Sequence, residues 1–167
     1  MKRIIWMGLA LPALSGSALA QGDRSYAGTV RIGQFQPNSE PARSEGKTWT
    51  LVGVDFKVAR LGGNGANLTL SIDNYTKGDY SVSPALLNVL WQRDDVYFSM
   101  GVGASFNREY RIVGGQRDRF NKMRFAYQIG GGWAFQGDKS PLVVEAHFFG
   151  NEQEHLGGFA VVAGLRF

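Results

Sequence analysis

Stretch after stretch of this 167-residue chain alternates between an apolar residue and a small or polar one. That period of two restricts the fold more than any other feature. Val96, Phe98, Met100, Val102, Ala104 and Phe106 share one side, with Tyr97, Ser99, Gly101, Gly103, Ser105 and Asn107 on the other. Met123, Phe125, Tyr127, Ile129, Gly131, Trp133 and Phe135 oppose Arg124, Ala126, Gln128, Gly130, Gly132 and Ala134 in the same way. Eight runs can be marked, at about Ser25–Phe35, Thr48–Ala59, Ala66–Tyr75, Tyr80–Gln92, Val96–Arg108, Lys122–Phe135, Pro141–Phe149 and Phe159–Phe167. The fourth is ambiguous in orientation, because Pro84 and Asn88 share a face with Leu86 and Leu90.

Two closed architectures fit eight alternating strands: a soluble barrel that buries its apolar face, and a membrane barrel that turns that face to lipid. The second face decides between them. It is rich in Gly, Ala and Ser, as a narrow eight-stranded barrel requires to fill its interior without bursting. The runs also have the length of membrane-crossing strands, about 9–11 residues. Beyond residue 20 no segment is apolar for long enough to be a transmembrane helix, and strands satisfy their backbone in hydrocarbon only by closing. Links of about 12, 4, 13 and 9 residues (Gln36–Lys47, Thr76–Asp79, Glu109–Asn121 and Gly150–Gly158) alternate with short turns at Arg60–Gly65, Arg93–Asp95 and Gln136–Ser140. This alternation predicts outer loops and periplasmic turns, with both termini in the periplasm. The expected fold is a single all-β, eight-stranded antiparallel up-and-down transmembrane barrel.

The two ends agree with it. Lys2 and Arg3, an apolar run from Ile4 to Leu14, and Ser15-Gly16-Ser17-Ala18-Leu19-Ala20 form the pattern of a secretory leader. Residues 1–20 are expected to be a cleaved signal peptide and 21–167 the barrel domain. The barrel would then carry 16 basic and 14 acidic residues, a net charge of +2 that argues against a nucleic-acid partner. With no cysteine and two histidines, disulfides, thiolate chemistry and thiolate metal sites are excluded, and no cofactor or metal is expected.

The leader, Met100-Gly101-Val102-Gly103-Ala104, Gly130-Gly131-Gly132-Trp133, Val144-Glu145-Ala146-His147-Phe148 and a last strand ending in Phe167 together resemble the small eight-stranded outer-membrane barrels of Gram-negative bacteria, the OmpA/OmpX type. The resemblance covers the chain beyond the leader. It implies outer-membrane residence, contact with outer-membrane lipid and handling by the barrel-assembly machinery, with Phe167 as the assembly signal. Leu165 stands where members often have Tyr. Porin-like, adhesive, structural and enzymatic members share this architecture, so it leaves activity open.

Ionisable residues on the inward faces are Arg31, Asp55, Lys57, Asp73, Arg124, Glu145, His147 and Arg166. Counting rungs places Arg31, Asp55, Glu145 and His147 at one depth, which predicts a mid-lumen charge cluster. Such a cluster reads as an interior plug, in which paired charges offset the cost of burial. The sharper alternative is a narrow solute or proton-sensitive conduit through His147. The other class is a lipid A-modifying enzyme, as some barrels of this size are. Here no serine lies two residues after His147, and His155 sits among acidic loop residues, so no catalytic residue is assigned. Arg108, Arg111, Arg117, Arg119 and Lys122 form a basic third loop able to contact lipopolysaccharide phosphates, or merely to stay solvated. Aromatics near strand ends, Tyr26, Trp91, Trp133 and Tyr80 among them, are expected in interfacial girdles, and Trp49 is expected inside. The predicted protein is non-enzymatic, with a plugged lumen and a structural or surface-interaction role through its outer loops.

Overall fold

The computed structural model describes residues 26–62, 66–113, 116–135, 141–152 and 156–167; the expected leader lies outside them. Eight strands run in chain order: β1 (Gly28–Pro37), β2 (Trp49–Leu61), β3 (Ala66–Lys77), β4 (Tyr80–Arg93), β5 (Val96–Val113), β6 (Gln116–Ala134), β7 (Leu142–Asn151) and β8 (Gly158–Arg166). Each pairs antiparallel with its neighbours, and β8 pairs with β1 to close the barrel. Closure leaves the sheet without an open edge through the barrel wall. Phe167 completes the seam, exchanging backbone hydrogen bonds with Gly28 at 3.0 and 3.2 Å. Its ring lies over Gly28, where a Cβ would strike it at 2.7 Å, and meets Phe56 edge-on at 6.4 Å.

Burial follows the alternation, but inverted relative to a soluble domain. Ile32, Val52, Ile72, Val102, Phe125 and Leu165 stand outside and exposed, whereas Arg31, Asp55, Asp73, Glu145 and His147 are buried inside. Water would penalise that outer surface at roughly 25 cal/mol per Å² of apolar area, whereas hydrocarbon does not. The polarity is that of a barrel whose solvent is lipid.

Two expectations are corrected, and the open orientation of the fourth run is resolved. The third link is not a loop: Arg108 to Val113 and Gln116 to Asn121 continue the β5–β6 ladder, extending the hairpin past its neighbours. The reason is that paired strands need no alternation outside hydrocarbon, so a charged segment can still be a ladder. The fourth run points Val82, Pro84, Leu86, Asn88 and Leu90 inward, with Leu87 and Trp91 outward. It looked ambiguous because both its faces are apolar. Tyr26 and Tyr80 are not girdle residues; both are buried in the interior. The first link also folds into a one-turn helix, α1 (Glu40–Arg43), where Ser39 caps Ala42 N–H at 3.5 Å and Ala42 is buried.

Candidate functional site

The interior has two storeys. Towards the loop end, Phe35, Trp49, Leu51, Tyr75, Tyr80, Val82, Leu86, Phe149 and Leu156 pack into one cluster. Phe35 stacks on Tyr75 at 4.6 Å, and Trp49 on Tyr80 at 5.7 Å. Trp49 does face inward, and it is fully buried.

Below this aromatic layer lies a charged one, and its geometry starts from glycines. Arg31 on β1, Gly53 on β2 and Asp73 on β3 share one rung. Strands lie about 4.8 Å apart, so Arg31 must reach across all of β2 to touch Asp73. It can do so because Gly53 presents no side chain: a Cβ there would collide with Asp73 Oδ1. Gly164 is the rung partner of Arg31 on the β8 side, where Thr29 and Val143 pack over the bare backbone. The guanidinium then grips Asp73 with both arms, Nε to Oδ1 at 2.9 Å and Nη2 to Oδ2 at 2.7 Å. Bidentate pairing of this kind combines two charge-assisted hydrogen bonds with a fixed geometry.

Arg31 Nη1 reaches Glu145 Oε1 at 3.5 Å. Glu145 also accepts from the Tyr97 hydroxyl at 3.0 Å and lies 2.8 Å from His147 Nδ1. A carboxylate only accepts, so Nδ1 carries the proton of that bond. Nε2 faces the Tyr75 hydroxyl at 3.3 Å, linking the charged layer to the aromatic layer. The four expected residues therefore divide. Arg31, Glu145 and His147 form one connected network. Asp55 lines the same cavity but its hydrogen bond is with Thr69 Oγ1 at 2.8 Å, and Asp73 is the direct ion-pair partner of Arg31.

Asp73, Tyr75 and Tyr97 were not placed in the cluster from sequence. The signal that could have found Asp73 is the bare Gly53 between Val52 and Val54, which marks a crossing point on the inner face. Arg166 has a partner as well: it donates to Gln92 Oε1 at 2.9 Å, and its guanidinium lies 4.1 Å from the Tyr26 ring centroid. The cavity among Arg31, Asp55, Tyr97, Glu145 and Arg166 holds about 20 Å³, room for about one water molecule.

The basic residues sit elsewhere. Arg108, Arg119 and Lys122 are exposed on the extended hairpin, and Arg119 pairs with Asp79 at 2.6 Å. The backbones of Arg111 and Arg117 belong to the ladder, but their side chains lie outside the described residues, as does His155. Tyr110 ties the hairpin to the first loop by donating to Glu45 Oε1 at 2.8 Å.

No protein-family model and no curated protein matches the chain. Among solved structures it is similar to Ail, the attachment invasion locus protein of Yersinia pestis. Identity is 15% and the TM-score 0.58, over 86% of this chain and 99% of that one. The fold is that of the small eight-stranded outer-membrane barrels. Other matches are the N-terminal β-barrel domain of Pseudomonas aeruginosa OprF, with 11% identity, a TM-score of 0.48 and coverage of 83% and 97%, and Neisserial surface protein A, with 11%, 0.47 and coverage of 88% and 100%. At these identities the likeness concerns the fold alone.

Proposed function

We propose that this chain is a non-enzymatic outer-membrane barrel, anchored by its apolar exterior, closed to solutes by its filled interior, and acting at the cell surface through its outer loops. The observation that carries the reading is the inversion of polarity: apolar side chains outside, a bidentate ion pair and an aromatic layer inside. The two interior layers act as the plug: the aromatic cluster fills the loop end, and the cavity at the charged layer has room for about one water molecule. Phe167 serves as the assembly signal and residues 1–20 as the export leader, which together would deliver the chain to the outer membrane.

The surface role falls to the β5–β6 hairpin. Among the described residues, β4 pairs with β5 only as far as Arg108 and β7 with β6 only as far as Ala126, so the hairpin stands beyond both. Its exposed Arg108 and Lys122 favour an anionic partner. A lipid A-modifying role is disfavoured by His147, which is held inside between Glu145 and Tyr75 and away from the lipid face. Membrane fractionation with gel mobility before and after boiling tests the reading. An outer-membrane band whose mobility changes on boiling is expected, and a soluble protein of unchanged mobility would end it.

A further inference from the structure

The outer face of the barrel is not uniformly apolar. Outward residues Gln34, Thr50, Thr76 and Ser81 are direct partners across β1, β2, β3 and β4, forming one continuous polar row. A second patch lies beside it, where Asn74 Nδ2 donates to Ser81 Oγ at 3.0 Å and to Ser83 Oγ at 2.8 Å. The sector is bounded by apolar residues on the β8 side, and on the β5 side by Phe106 opposite Ser83 and the exposed Arg108 opposite Ser81. Gln34 is the direct partner of Val161, Gln36 of Phe159, and Ser83 of Phe106, each of the three apolar partners being about half exposed. Thr76 Oγ1 donates to the Tyr80 carbonyl at 3.2 Å, but acyl chains offer no hydrogen-bond partner to the exposed Gln34 and Thr50.

Directly above this window, Gln36, Glu40, Arg43, Ser44 and Lys47 line an open hollow of about 450 Å³ at the foot of α1. Lys77 follows Thr76, and its side chain runs along Gly46 next to Lys47, where a Cβ on Gly46 would meet Lys77 Cε at 2.6 Å. Neutral hydrogen-bonding groups at the lipid level, capped by Arg43, Lys47 and Lys77 with Glu40 beside them, match a sugar ring carrying phosphate. A second copy of the chain fits less well, because a symmetric contact would set these cations against their own copies.

We propose that the β1–β4 sector and the hollow below α1 dock the phosphorylated saccharide headgroup of a glycolipid in the outer leaflet. The proposal rests on the outer-membrane reading above. It places the lipid contact on β1–β4, with Arg108 of the β5–β6 hairpin at its edge.

The test is native mass spectrometry of the full-length barrel in phosphatidylcholine nanodiscs containing equal lipid A, a bis-phosphorylated acylated disaccharide, and phosphatidylglycerol. Wild type should retain lipid A over phosphatidylglycerol. Arg43→Ala with Lys47→Ala, and separately Gln34→Leu with Thr50→Val, should each cut that preference about tenfold, the size expected for loss of one or two charge-assisted or buried hydrogen bonds. Arg93→Ala, which removes an exposed charge at the opposite mouth of the barrel, should leave it within about twofold. Heat-modifiable mobility verifies that each variant is folded. Equal retention of the two lipids, an equal loss in Arg93→Ala, or a dimer abolished by Gln34→Leu would each overturn the proposal. A chain that does not insert overturns the membrane reading and the proposal together, whereas insertion without lipid preference overturns the proposal alone.

Discussion

The two storeys of the lumen are filled by opposite means. The loop-end half is filled by rings in contact, with Phe35, Trp49, Tyr75, Tyr80 and Phe149 stacked, tilted or edge-on at 4.6–6.3 Å. The lower half is filled by a network that begins at the Arg31–Asp73 pair. Contact between rings has no strict partner requirement and degrades gradually. A buried ion pair fails abruptly, because removing one charge strands the other in a low-dielectric interior. Tyr75 belongs to both storeys, as ring and as hydroxyl.

Mutations should separate the two modes. Arg31→Ala leaves Asp73 and Glu145 without their cation and should cost about 3–5 kcal/mol, read by urea unfolding of the vesicle-folded barrel through tryptophan fluorescence. Replacing Arg31 and Asp73 together by Leu should recover part of that loss, since it removes one of the two stranded carboxylates and leaves Glu145 without Arg31. If the double variant is as unstable as the single one, the ion pair is not the unit of stability. Phe149→Ala opens a void in the aromatic storey and should cost about 3 kcal/mol, with no recovery available from a second charge removal. Tyr97→Phe removes one hydrogen bond to Glu145 and should cost about 1.5–3 kcal/mol. The smallest effect belongs outside the lumen. Arg119→Ala breaks an ion pair whose arginine is 67% exposed, and should shift the unfolding midpoint by less than about 1 kcal/mol, less still at high salt.

How much was legible in the sequence follows from which facts are local. Strand number, inward set and closure depend on a period of two that each segment carries by itself, so Val96–Phe106 and Met123–Trp133 declared their faces unaided. The pairing of Arg31 with Asp73 depends instead on the register of three strands and on the missing side chain at Gly53. Depth counting alone brought Asp55 forward in its place. Residues 109–121 read as a loop because they are charged, yet 109–113 and 116–121 form a ladder above the apolar band. Tyr80 and Tyr26 read as girdle residues because aromatics near strand ends usually are; here the aromatic storey claims one and the Arg166 guanidinium the other.

We propose that the two storeys together close the barrel, and single-channel recording of the purified barrel in a planar bilayer is the test. A flat baseline without unitary steps is expected for the wild type. A steady, reproducible unitary conductance would contradict it.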